Sequence, residues 1–324
     1  MKGHPRDAVV FDLHSDSLLR LDAGEDLAKG GTKGHFDLPR ARKGGLGAIF
    51  LASWIDPRFL PAGAAARTLG LLAGARRFVE ANAGKVGLAL GAGDVVRLHR
   101  EGRLAVLLSI EGGHAIENDA KLLETYAALG VRSMTLTWMN GNDWADASTD
   151  PVVHHGGLTA FGRRVVREMN RLGLVVDLAH VSRDTFYDAL EESRVPVLVT
   201  HAGARALADH PRNVGDDQLR ALASNGGAVG IAFYPGFLTG RHDDGARVDD
   251  VVAHIDHVVS VAGIDHVALG SDFDGITKTV AGLGDASRYP AVSEALRARG
   301  YGEGDIRKVL GENALRVLRE AVGR

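Results

Sequence analysis

Residues 158–182 read LTAFGRRVVREMNRLGLVVDLAHVS. The first part has helical spacing: Phe161, Val165, Val166, Met169 and Leu172 share one face. Residues 174–179, LVVDLA, follow as a nearly continuous apolar run, the pattern of a strand buried on both faces. That run stops at His180, and Ser182 is well suited to cap the next helix, SRDTFYDALEES. A helix, a buried strand, a metal-capable side chain and another helix thus succeed one another without a break.

The same unit recurs along the chain. Further strands are expected at 9–13, 47–53, 105–110, 132–137, 195–200, 228–233 and 266–271, which with 174–179 makes eight. Helical patterns occupy 63–83, 119–129, 215–225, 247–262, 291–299 and 303–322. The last has an apolar face suited to packing on the sheet or on a neighbouring subunit. Eight strands alternating with helices predict an α/β protein, a single (β/α)8 TIM barrel. A doubly wound sheet is the competing arrangement. No Gly/Ser linker divides the chain, so residues 1–324 are expected to form one domain. Residues 138–157, 205–217, 234–246 and 272–290 are polar or rich in Gly and Pro, and all follow strands. In a barrel they crowd the rim at the C-terminal ends of the strands, where active sites lie.

Composition narrows the function. A chain of 324 residues with 45% apolar and 24% charged residues is ordinary for a soluble globular protein. A net charge of −3 and few aromatics, not interleaved with a basic patch, disfavour a nucleic-acid surface. No apolar run approaches the ~20 residues of a membrane span. The start MKGHPRDAVV lacks the apolar core of a signal peptide, so a cytoplasmic location is expected. The absence of cysteine excludes disulfides and thiolate chemistry and leaves His, Asp and Glu as metal ligands.

Those residue types gather at strand ends. The first strand ends in His14-x-Asp16, the third in Glu111, the fifth in His180, the sixth in His201 and the last in Asp272. His14 and Asp16 are two apart, so on extended backbone both side chains face the same way. One metal usually takes three protein ligands and leaves a position for water. Six candidates suit two metals sharing one carboxylate, and Glu111 is the natural bridge by its position in the order. Asp272 is then available to accept a proton from water and pass it on. Each residue also has an ordinary use: Asp16 as a turn cap, Glu111 as an arginine partner, Asp272 or Asp274 in an Asx turn. The joint pattern, metal-capable groups closing five of eight strands, favours the metal centre.

Weaker signals surround it. GSDFDG and EGGH are glycine-rich but match neither a phosphate loop nor an EF-hand. The pair His154-His155 reads as solvent-facing or structural. Arg212, in DHPRNVGD, can clamp a carboxylate through its planar fork or hold a loop by an ion pair.

The chain resembles the membrane dipeptidase (renal dipeptidase) family, peptidase family M19 of the amidohydrolase-like barrels. The resemblance runs from residue 8 to 320 through DLHSD, SIEGGH, GVRSMTLTW, ADAS, GLTAFGRRVVREMNRLGLVVDLAHVS, RNVGDDQL, GSDFDG, GLGDASRYP and LGENALRVL, in that order. It implies a dinuclear zinc dipeptidase. His14 and Asp16 then bind one zinc, His180 and His201 the other, and Glu111 bridges both. Arg212 corresponds to the arginine that contacts the substrate carboxylate, and Asp272 to the acid/base aspartate. The family releases the C-terminal residue of dipeptides, often tolerates a D-residue there, and includes members that open β-lactams. A metal-bridging hydroxide is the implied nucleophile, and homodimers are common. His114 and Asp119 are candidates to position Glu111.

One position departs from the family pattern. Where many members carry a histidine that helps stabilise the oxyanion, this chain has Trp138. Its indole N–H can donate one hydrogen bond, or the ring can simply fill the pocket. Asn140 and Asn142 are candidate replacement donors. The departure motivates an alternative, a barrel amidohydrolase acting on N-acyl amino acids, lactones or other small amides. A more remote one is a non-catalytic, metal-stabilised binding protein, which has no need of Asp272 or Arg212.

Overall fold

The expected apolar runs form strands whose side chains are buried on both sides of the sheet. In the computed structural model, which describes residues 3–240 and 245–323, the strands are β1 (Val10–Ser15), β2 (Leu46–Trp54), β3 (Val86–Leu88), β4 (Leu104–Glu111), β5 (Val131–Thr135), β6 (Val175–Asp177), β7 (Leu198–Ala202), β8 (Ala228–Ile231) and β9 (Val267–Leu269). Residues 241–244 of the expected 234–246 loop, and residues 1–2 and 324 of the expected 1–324 domain, lie outside the described residues.

All pairings are parallel, and the ring closes. β1 pairs with β2 on one side and β9 on the other; β2 pairs with β4, and β4 to β9 follow in order. Closure excludes the doubly wound sheet, which keeps two free edges. The eight strands of the ring are the eight expected. The ninth, β3, went unforeseen because only Val86–Leu88 pair. It lies beside the start of β4 at Leu104–Val106, while β5 takes over the same side from Leu108 onward.

Two apolar layers hold the barrel. Outward-facing Ile49, Leu51, Val106, Leu108, Val176 and Val199 pack under the helices. Helix Ala160–Leu172 contributes Val165, Val166 and Met169, all fully buried, each worth roughly 1.5–3 kcal/mol on burial. Its start is capped by Thr159, whose hydroxyl accepts from Gly162 N–H, and Ser182 caps Arg183–Glu192 in the same way. Inward-facing Phe11, Phe50, Leu107 and Val175 fill the interior together with the last helix, Asn313–Val322.

The expected helix 303–322 is three pieces. Glu303–Arg307 and Asn313–Val322 are joined by a wide turn, Lys308–Glu312, broken at Gly311. Gly311 lies so close to β1 that a Cβ there would stand 2.2 Å from the Val9 carbonyl oxygen. The final helix is therefore turned in against the barrel, with Ala314, Leu315, Val317, Leu318 and Ala321 packed against the inward face. Helix Ala92–Arg100, also unforeseen, packs into the same layer through Val95 and Leu98.

Candidate metal centre and substrate cavity

Side chains alternate along a strand, yet His14 and Leu13 both turn inward. On β1, Phe11 and Leu13 face the interior, so strict alternation would send His14 out to the helices. Between Asp12 and Ser15 the strand advances three residues while β2 advances two, from Ile49 to Leu51. The extra residue is a β-bulge, which re-aims the side chains beyond it. The same happens on β7, where Val199 to Ala202 matches Val229 to Ile231 on β8. His201 thereby faces the mouth. His180 turns in through a left-handed residue at φ 70°, and Asp272 through one at φ 62°.

These turns bring all six strand-end candidates to one cleft. Glu111 lies between two groups. Its Oε2 is 3.6 Å from His14 Nε2, which is 3.3 Å from Asp16 Oδ2. Its Oε1 is 2.9 Å from His180 Nε2 and 3.6 Å from His201 Nε2. Three sets have mutually close ligand atoms: His14, Asp16 and Glu111; Glu111, His180 and His201; and His14, His201 and Asp272.

The donor set fits divalent cations. His14 Nε2 and Asp16 Oδ1 are buried without a hydrogen-bond partner, and the Nε2 atoms of His180 and His201 point at each other across 2.9 Å. Buried polar atoms are normally paired, and converging unpaired acceptors are what a cation satisfies. Behind His201, its Nδ1 lies 3.0 Å from the Thr200 hydroxyl, which donates to Asp177 at 2.6 Å. That chain places the ring proton on Nδ1 and leaves the Nε2 lone pair facing the cleft.

Electrostatics agree. Loss of water and the neighbouring Asp16 charge raise the Glu111 carboxyl to about 7, against the pull of His14 and Arg212. Asp272 rises to about 8, from loss of water and the Asp16 and Glu111 charges, with His14 and Arg212 opposing. Burial disfavours protonation of His14, but Glu111 and Asp16 outweigh it and drive the pKa well above 6.5. Burial and the Arg212 and His14 charges hold His180 and His201 well below 6.5, as neutral imidazoles. Crowded carboxylates, the neutral imidazoles of His180 and His201, and a His14 proton that a cation would displace together form a site that binding cations relieve.

The cleft opens into a cavity of about 540 Å³. Arg212 is buried in its wall, its Nη2 donating to the His201 carbonyl at 3.2 Å and its guanidinium 5.3 Å over the Phe237 ring. Burial lowers its pKa to about 10, with Asp272, Glu111 and Asp177 opposing, so it is cationic at neutral pH. Trp138 also lines the cavity, packed edge-on against Trp54 with ring centroids 5.0 Å apart.

The other candidates are used elsewhere. Asn140 donates to His114 Nε2 and the Gly141 carbonyl. Asn142 donates to the Leu136 carbonyl and accepts from Trp144 and Ala145 N–H. Neither is among the cavity-lining residues, so the structure does not bring them in as replacement donors. His114 lies 3.0 Å from the Gly141 carbonyl through Nε2, and Asp119 accepts from Lys121 N–H; these contacts tie loops rather than Glu111. His155 lies against the Asn142 carbonyl and His154 near Asp150, both rings in an exposed loop.

Sequence reasoning missed four supporting residues. Buried Asp12 accepts from Ser271 N–H and hydroxyl, from His14 N–H and from the Tyr289 hydroxyl, binding β1 to the end of β9. Asp177 does the same for β5, β6 and β7. Gly275 passes so close that a Cβ would stand 2.1 Å from Asp16 Oδ2. Trp54 ends β2 directly beside Glu111 in the register. Asp12 and Asp177 lie inside the apolar runs rather than just beyond them, and Gly275 and Trp54 are not metal-capable.

A family model for membrane dipeptidase (peptidase family M19) matches residues 5–323. The chain belongs to this family. The membrane dipeptidase family is one of metal-dependent dipeptidases, and this member is a metal-dependent dipeptidase by that descent. Among its relatives is a protein named dipeptidase tcpJ of Claviceps purpurea, 39% identical over 96% of this chain and 73% of the relative. A metallopeptidase of Rhodobacter sphaeroides, solved with a phosphinate mimic of the dipeptide L-Ala-D-Ala, superposes with a TM-score of 0.90 at 31% identity, covering 97% of this chain and 100% of the other. The M19 dipeptidase AC gives 0.89 at 32%, covering 98% and 99%. Among the described residues, no helix is long and apolar enough to cross a membrane.

Proposed function

We propose that this member cleaves dipeptides with two zinc ions, one held by His14, Asp16 and Glu111, the other by Glu111, His180 and His201. The observation that carries the reading is Glu111, whose two oxygens face the two histidine groups separately. Imidazole and carboxylate donors suit zinc. Bound there, the cations would lower the pKa of a water and polarise the scissile carbonyl.

The chain's own groups do the rest. Arg212, rigid and cationic, receives the C-terminal carboxylate in its planar fork, which restricts substrates to very short peptides. Asp272, whose carboxylate lies within 4.8 Å of the His14 and His201 ring nitrogens, takes a proton from the attacking water and returns it to the leaving amine. Asp12 and Asp177 hold the strand ends that carry these groups. The C-terminal residue extends over Arg212, where a D-residue is accepted; the L-Ala-D-Ala mimic bound by the Rhodobacter sphaeroides neighbour supports that reading. The whole chain serves as one catalytic domain.

The test is turnover of the zinc-loaded protein on dipeptides with L- or D-residues at the C-terminus, read as free amino acid. Hydrolysis lost to a chelator and restored by zinc is the expected result. Two bound metals with no dipeptide turnover, but release from N-acyl amino acids or lactones, would replace this reading with the amidohydrolase one.

A further inference from the structure

The cavity is lined from opposite sides of the barrel, with the buried cation of Arg212 on one side and Trp54 and Trp138 on the other. Arg212, Tyr234 and Phe237 come from segments after β7 and β8. Leu19, Trp54, Trp138 and Met139 come from the ends of β1, β2 and β5. In the ring β1-β2-β4-β5-β6-β7-β8-β9, β2 and β7 are diametrically opposite. Trp54 therefore faces Arg212 across the metal-ligand cluster.

Trp54 lines the cavity while its indole N–H is buried away from the surface, so what this side chain offers the cavity is ring surface. Trp138 packs edge-on against it, and the Trp138 ring lies 6.3 Å from that of His180, directly beside the cluster. Met139 extends the surface outward and is 49% exposed, available to a ligand. The result is an apolar wall on the side of the cluster away from the carboxylate clamp.

A dipeptide anchored by its carboxylate at Arg212, with its peptide carbonyl over the cluster, extends its N-terminal residue away from Arg212. That residue runs towards β2 and β5. We infer that the Trp54–Trp138 wall is a specificity site for the N-terminal side chain, selecting dipeptides that begin with a bulky apolar or aromatic residue. The inference rests on the dipeptidase reading for the orientation of the substrate. Burying a branched or aromatic side chain against such a surface is worth about tenfold or more in selectivity.

The experiment has two arms. In the first, zinc-loaded wild-type protein is given Gly-Gly, Ala-Gly, Leu-Gly, Phe-Gly and Lys-Gly. Expected is a rise of kcat/KM of about tenfold or more from Ala-Gly to Leu-Gly and Phe-Gly, carried by KM. Trp54→Ala and Trp138→Ala flatten the series, while Trp138→Phe retains it. In the second, calorimetric titration of zinc-loaded Asp272→Asn with Gly-Gly and Phe-Gly reads binding without turnover, and Phe-Gly binds about tenfold tighter. A flat series in both arms, a preference for Lys-Gly, or tryptophan variants that slow every substrate equally would overturn the inference while leaving dipeptide cleavage standing. Discrimination in binding with no turnover by the wild type would overturn the dipeptidase reading and leave the wall.

Discussion

Thr200 and Asp177 join two strands that lead to candidate metal ligands through one hydrogen bond of 2.6 Å, with His201 immediately after the first and His180 three residues after the second. The same carboxylate accepts from the Thr135 hydroxyl at 2.7 Å and from Thr200 N–H at 2.9 Å. One buried group thus sets the spacing of three strand ends.

Asp177→Asn keeps the shape but removes the charge and one acceptor. Partners behind metal ligands typically carry 10- to 100-fold in metal affinity. The expected outcome is a loss of that order in zinc affinity, measured by calorimetric titration, with the helical circular-dichroism signal retained. Unchanged affinity would remove Asp177 from the site.

Gly275→Ala places a methyl group 2.1 Å from Asp16 Oδ2 and 2.7 Å from Asp272 Oδ1. Gly275 is exposed to the cavity, so the chain folds and the damage is local. Turnover is expected to fall at least about tenfold, because small misplacements of catalytic groups are costly. Thermal melting within a few degrees of wild type, measured in parallel, checks that the loss is confined to the site.

Asp272→Asn and Arg212→Lys separate chemistry from binding. The first removes the proton acceptor and is expected to lower kcat by about 10²- to 10⁴-fold with metal content unchanged. The second keeps a charge but loses the fork, and is expected to act mainly on KM, by roughly 10- to 100-fold. Steady-state kinetics with metal analysis reads both; equal effects on kcat and KM in the two variants would contradict the assignment.

Asp146 supplies a pH dependence away from the candidate metal ligands. Burial alone would raise its carboxyl, but N–H groups of Gly157, His154, His155 and Gly156 outweigh that and hold it below the usual range. A depressed folded pKa contributes stability above the unfolded value of about 4, lost as pH falls through the folded value. Asp146→Asn should therefore cost about 1–3 kcal/mol at pH 7 in urea unfolding. The gap from wild type should narrow as pH falls below about 4; a gap independent of pH would show that packing, not charge, is lost.

Much of this was readable from residue order. Apolar runs at the right spacing marked the eight ring strands, since burial on both faces demands such runs. Metal-capable residues placed just beyond five of them marked the cluster. The runs could not report β3, whose three residues have too little pattern, or the break at Gly311, which depends on the approach of Val9.

By itself the amino-acid order determined which side chains end which strands, and with that the donor chemistry and the strand sequence of the barrel. Only the tertiary structure decided where those side chains point. Period-two alternation would send His14 out to the helices, and one extra residue in β1 turns it in; β7 carries the same irregularity before His201. Bulges arise where two strands pair out of step, a relation between segments that neither segment's own residues encode. Closure of the ring is equally non-local, and it alone sets Trp54 opposite Arg212.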